Sequence, residues 1–102
     1  MRRSRQAAVV AQELIADEPR RRWGYELYKA TNVSTGVLYP MLDRFVSQGW
    51  LADGWEQVDP TAAGRTPRRF FTVTTSGYRA FSDLVADAHA RDWSVGSSAV
   101  GV

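Results

Sequence analysis

The spacing of apolar residues changes at Gly49, and that change restricts the chain to a mixed fold. Before it, apolar residues recur at helical intervals. Ala7, Val10, Ala11, Leu14 and Ile15 share a face over residues 5–17. Leu38, Met41, Leu42 and Phe45, widened by Val46, share another between Ser34 and Gly49. A shorter helix carrying Tyr25, Leu27 and Tyr28 fits between them. After Gly49 the pattern alternates. Leu51 and Trp55 have one parity in "WLADGWEQV", as do Phe71 and Val73 in "RRFFTV". Helical spacing then returns with Tyr78, Phe81, Leu84, Val85 and Ala88. The element order expected is α-α-α-β-β-α.

Local signals divide these elements. Ser4 is a candidate N-cap of the first helix and Pro19 its stop, Asn32 ends the second, and Ser34 can cap the third. Gly49 ends the third helix as a C-terminal breaker. Pro40 removes one hydrogen bond and crowds the carbonyl of Gly36, which predicts a kinked but continuous helix. Thr74 reads as the cap of the last helix. The stretch "DPTAAGRTP" is too long for a tight hairpin turn and is expected as a loop carrying Arg65. An antiparallel hairpin can lay one face on the helices and leave the other in water. This α+β arrangement is a winged helix-turn-helix. Its boundaries are expected at 1–74 for the winged domain and 75–92 for a C-terminal helix, with 93–102 as a flexible tail.

The composition fits one domain and narrows the chemistry. With 102 residues there is room for one core, and a partner subunit would help to stabilise it. Cysteine is absent, so no disulfide or thiolate metal site exists, and a cytoplasmic location is expected. No apolar run reaches membrane-spanning length. Gln12 and Glu13 interrupt the apolar part of the N-terminal stretch, which argues against a signal peptide. His89 is the single histidine, with no serine or cysteine placed to form a nucleophile pair. Zinc-ligand spacing and a phosphate-binding glycine loop are also missing. Neither an enzyme nor a cofactor or metal is expected.

Charge points toward nucleic acid. Residues 1–82 hold 12 basic and 8 acidic residues, whereas 83–102 hold 1 and 3. The basic residues gather in "MRRSR", "PRRRW" and "GRTPRR", which suits a phosphate backbone, although solvated arginine clusters are also common. In a winged helix the third helix enters a major groove by its N-terminal end. The small "STG" front allows close approach, and its free N–H groups favour a phosphate. Ser34, Thr35, Gly36 and Val37 are therefore candidate DNA contacts, with Val37 suited to a thymine methyl. Arg44 could reach a phosphate or pair with Asp43 or Glu13. Arg65 is expected at the wing tip, aimed at a minor groove, the alternative being a solvated loop arginine. Arg68 and Arg69 alternate along a strand, so one of them should face the DNA backbone. Arg20, Arg21 and Arg22 open the second helix, where phosphate contact and plain solvation are equally reasonable.

Three segments in order give a resemblance. "WGYELYKAT", "STGVLYPMLDRFVSQGWL" and "GRTPRRFFTVTTSG" resemble the second helix, recognition helix and wing of PadR-type transcriptional regulators of the short subfamily, over about Gln6 to Ala88. Val37 replaces the more usual threonine, and Thr66 interrupts the wing's usual Gly-Arg-Pro-Arg order. The resemblance implies a DNA-facing Tyr39 with its hydroxyl on a phosphate, the alternative being packing against the second helix. It also implies a homodimer on double-stranded DNA. The chain has no room for the large C-terminal domain of longer members. Tyr78, Phe81, Leu84, Val85 and Ala88 on the last helix are thus the expected dimer contacts. Some short members bind flat apolar ligands at the dimer centre, which makes Trp93 a candidate dimer or effector contact. The implied function is a repressor on a pseudo-palindromic operator. A winged module binding a protein partner instead of DNA is the alternative.

Overall fold

The computed structural model describes residues 5–16 and 21–100, with side chains described as far as Ala90. The elements are α1 (Arg5–Ala16), β1 (Arg22–Trp23), α2 (Gly24–Thr31), α3 (Thr35–Ser47), β2 (Leu51–Trp55), α4 (Pro60–Ala63), β3 (Arg69–Val73) and α5 (Thr75–Val100). The helices and the hairpin follow the order expected. Two short elements are additional. The pair Arg22–Trp23 adds an edge strand, giving the antiparallel order β1-β3-β2. The supposed loop contains a helical turn, because the Asp59 carboxylate accepts from the Thr61 N–H at 3.0 Å and Gly64 closes the turn at φ 71°. Helix α5 also continues past residue 92. Ser4, Pro19 and Arg20 lie outside the described residues, as does the side chain of Trp93.

The core forms where the apolar faces meet. Val10, Ala11 and Leu14 of α1, Leu27 of α2, Leu38, Leu42 and Phe45 of α3, Leu51, Phe71 and Phe81 are almost fully buried. Phe81 meets Phe45 edge-on at 4.9 Å between ring centres and Trp50 at 5.8 Å, a geometry that aligns ring edges with ring faces. Phe81 and Leu84, expected as dimer contacts, therefore belong to the chain's own core. The inner part of the α5 stripe is absorbed by α1, α3 and Trp50. Of the expected dimer residues, Tyr78 is exposed and Val85 and Ala88 are half-buried.

One junction sets how the helices and the hairpin meet. Helix α3 closes with Gly49 at φ 79°, its N–H bonded to the Val46 carbonyl and that of Trp50 to the Phe45 carbonyl. The Thr74 hydroxyl caps α5 by accepting from the Gly77 N–H at 2.9 Å, and it donates to the Gly49 carbonyl at 2.7 Å. A Cβ on Gly77 would stand 1.8 Å from the Trp50 carbonyl oxygen. Glycine is required here so that α5 can start directly against the turn from α3 to β2.

Candidate nucleic-acid interface

Helix α3 presents its first turn to solvent. Ser34, Thr35, Gly36, Val37 and Tyr39 are all exposed. Ser34 occupies the N-cap position without a side-chain cap bond; its carbonyl accepts from the Val37 and Leu38 N–H groups instead. The expected hydroxyl cap is thus absent, because the backbone already closes the turn. A Cβ on Gly36 would meet nothing within 4 Å, so the chain's own packing does not require glycine there. Pro40 sits inside an otherwise continuous helix, as its place in the second turn predicts.

Tyr39 packs against the second helix, the alternative weighed for it, and is still partly open to solvent. A Cβ on Gly24 would lie 2.5 Å from the ring, which places the ring against the start of α2. The side chain is nevertheless 39% exposed. Gly24 thus allows α2 to support an aromatic ring on the outer side of α3. Arg44 is also exposed, and neither Asp43 nor Glu13 holds it, since both are engaged with other arginines.

The basic clusters behave differently from one another. Arg22 is only 2% exposed. Its Nη2 donates to Glu13 Oε2 at 2.6 Å, its Nη1 to the Glu13 carbonyl at 2.8 Å and its Nε to Glu26 Oε1 at 3.0 Å. Glu26 also accepts from the Trp23 N–H at 3.3 Å, which helps to start α2. Arg22 is therefore a structural cation joining α1, β1 and α2. It offers nothing to a phosphate, and Glu13 is a partner rather than a plain surface group. Arg21 remains exposed, stacked 4.3 Å above the Phe70 ring.

In the wing, each arginine has an internal acid. Glu56 accepts from Arg65 Nη2 at 2.9 Å, from Arg68 Nη2 at 3.4 Å and from the Arg68 N–H at 3.2 Å. Hydrogen bonds from Arg65, reinforced by those from Arg68, outweigh desolvation and hold the Glu56 carboxyl down at about 2. Arg68 also lies over Trp23 at 5.1 Å. Arg69 donates through Nε to Asp53 at 2.9 Å and through Nη1 to Asp43 of α3 at 2.7 Å. Partial burial opposes its charge, but the bonds to Asp43 and Asp53 keep its pKa above the ordinary arginine value.

Strand register explains the division between Arg68 and Arg69. Leu51, Asp53 and Trp55 pair with Val73, Phe71 and Arg69, so all six lie on the face that packs on the helices. Phe70 is on the outer face beside Trp23, its ring covering Gly54. Trp55 keeps the parity expected of it, but the core ends at Phe71, leaving it 61% exposed. Sequence reasoning missed Glu56, Asp53 and the buried role of Arg22. The register across the wing was the signal needed to find them.

The PadR-like transcriptional regulator model matches residues 13–83. The chain belongs to this family. A PadR family transcriptional regulator from Eggerthella lenta DSM 2243 shares the fold at 24% identity and TM-score 0.69, with 89% of this chain and 81% of that one covered. The smu.1704 protein of Streptococcus mutans UA159 aligns with TM-score 0.74 and 16% identity over 93% and 90% of the two chains. A PadR family regulator from Clostridium difficile R20291 aligns at 16% identity and TM-score 0.61, with 96% of each chain covered. A search of curated proteins finds no match. Among the described residues no helix is long and apolar enough to cross a membrane, and no group of His, Cys, Asp and Glu is arranged to hold a metal ion.

Proposed function

We propose that this PadR-family chain is a sequence-specific DNA-binding repressor that acts as a homodimer on a pseudo-palindromic operator. The observation that carries this reading is the exposed front of α3. Ser34, Thr35, Gly36 and Val37 project from a rigid helix, and Gly36 is a glycine that no internal contact explains. Thr35 and Val37 read base edges, while the free N–H groups of the first turn and the hydroxyl of Tyr39 take phosphates. Arg44 is a further phosphate ligand. Arg65 and Arg68 reach DNA from the wing by exchanging Glu56 for phosphate oxygens. Repression follows from occupying a promoter and excluding polymerase.

Two-fold pairing places two α3 fronts on one side of a duplex, about one helical turn apart. Tyr78, Val85 and Ala88 support a contact through α5, and Trp93 is kept as a candidate dimer or flat apolar effector contact on the same helix. Selection of bound duplexes from a random pool tests the central reading. The expected result is a two-fold related motif with half-sites near one turn apart; a pool without enrichment overturns it. Thr35→Ala and Val37→Ala should then change operator preference more than random-duplex affinity. Sedimentation equilibrium of Tyr78→Glu against the parent tests the dimer face, with a weaker dimer expected.

The exposed Trp55 and Tyr25, at 61% and 62%, favour a second reading as a protein-binding winged module. Loss of partner capture by Trp55→Ala, together with an unenriched DNA pool, would support it.

A further inference from the structure

Asp43 is out of place on a helix that approaches phosphates. It lies seven residues after Gly36 and so shares the exposed stripe that begins at the helix front. A free carboxylate there would repel a DNA backbone. This one is not free. It accepts from Arg69 Nη1 at 2.7 Å, while Arg69 Nη2 and Nε donate to Asp53 at 2.7 and 2.9 Å. One planar guanidinium therefore links three elements: Asp43 on α3, Arg69 on β3 and Asp53 on β2. Its fork fixes direction as well as distance, and lysine could not reproduce this. The guanidinium also rests 4.8 Å from the Phe71 ring centre, which marks the outer limit of the core.

Beyond this point the inner face of the hairpin loses its support. Trp55, the cross-strand partner of Arg69, stands in solvent, and α4 has no buried residue. A two-stranded ribbon without a packed face is only marginally stable in direction and twist. Glu56 closes the wing on itself by holding Arg65 and Arg68, but all three belong to the wing. Arg69 connects the inner face of the wing to the recognition helix.

We propose that Asp43 and Arg69 are a positioning pair, and that the Asp43–Arg69–Asp53 bridge sets the wing at a fixed distance and angle from α3 so that both meet one stretch of DNA in register. This inference rests on the DNA-binding reading above and assigns Arg69 a role through α3 instead of a direct phosphate contact. Two neighbouring arginines thereby divide the work. Arg68 offers its charge outward from the wing, and Arg69 orients the element that carries it.

Charge and position predict opposite signs, which gives a decisive test. Asp43→Asn removes a negative charge from the DNA side, so charge alone would strengthen binding to every duplex. Loss of position should instead weaken binding to the selected operator by about tenfold, the order of one lost base contact, with random-duplex binding unchanged or tighter. Arg69→Lys retains the charge but not the fork, and should show the same operator-specific loss. Fluorescence anisotropy with both duplexes measures this. Hydrogen exchange of the DNA-free protein adds an independent readout: wing amides around Glu56 and Arg69 should exchange faster in both variants, with α3 unchanged. A uniform gain on both duplexes, a uniform loss, or no change in wing exchange overturns the proposal. If the parent protein selects no operator, the DNA reading fails separately, and exchange alone decides whether the bridge holds the wing. If Asp43→Asn does not fold, Arg69→Lys carries the same comparison.

Discussion

The front of α3 and the wing occupy neighbouring parts of the proposed interface but are prepared for a ligand in opposite ways. The helix front is bare, with exposed small side chains and no side-chain cap on its first turn. The wing is internally satisfied, with Arg65 and Arg68 on Glu56 and Arg69 between Asp43 and Asp53. A bare helix end can take a new partner without giving one up. A paired arginine must exchange a carboxylate for a phosphate, so its net gain is smaller than its charge suggests. Counting arginines therefore overstates the wing, and counting charges overlooks the helix front.

The largest expected effect disrupts both regions together. Helix α3 and strand β2 meet at Gly49 and Trp50, against which Gly77 is packed. Gly77→Ala forces a methyl into the Trp50 carbonyl, a backbone group that has little room to yield. The cost should be about 3 kcal/mol or more, above the usual range for overpacking because backbone must move. Thermal denaturation should show a large fall in midpoint. An unchanged midpoint would mean that the junction is not rigid.

Arg22 sharpens the contrast within the arginines. Arg22→Met leaves Glu13 and Glu26 without their shared cation. Loss of a buried pair costs about 3–5 kcal/mol, and the carboxylates here are each about one-third exposed, which reduces the expectation to about 2–4 kcal/mol. Urea denaturation measures it. The salt dependence of DNA binding should remain that of the parent. A shallower slope in a fully folded variant would return Arg22 to the interface.

Gly36 separates fold from function at the helix front. Alanine meets open space there and should stabilise the helix by about 0.4–1 kcal/mol. The same methyl should weaken operator binding if, as proposed, a groove wall approaches this position. A variant that gains both stability and affinity would show that the glycine does not serve close approach.

The wing should give the smallest change in stability. Arg65→Ala should reduce the slope of log affinity against log salt by ~0.9 if Arg65 takes one phosphate. Glu56 supplies a pH test. Its folded pKa of about 2 lies below the ordinary glutamate value of 4.5, so its contribution to stability is present above pH 4.5 and is lost as pH falls toward 2. Carboxyl-carbon NMR should place its midpoint near 2 in the free protein. A midpoint at an ordinary glutamate value would mean that the wing is open in solution.

Much of the architecture is legible in the sequence because it is written in periodicity. The apolar stripes of α1 and α3 specify buried faces, and the alternation around Leu51 and Phe71 specifies a half-buried hairpin. Asn32 and Gly49 mark element ends through their left-handed backbone, and Thr74 through its capping hydroxyl. What the sequence does not determine is which charged residues face one another. Glu13 and Arg22, Asp43 and Arg69, and Glu56 and Arg65 lie 9, 26 and 9 residues apart. No local rule pairs residues at those separations. Whether Phe81 and Leu84 serve a partner or the chain's own core is equally invisible, because an apolar stripe records that a face must be covered and not what covers it. Register and helix packing make those choices. They bring Arg22 under α1, set Arg69 against α3 and leave the front of α3 uncovered, because desolvation and ion pairing depend on distance in space and not on distance along the chain.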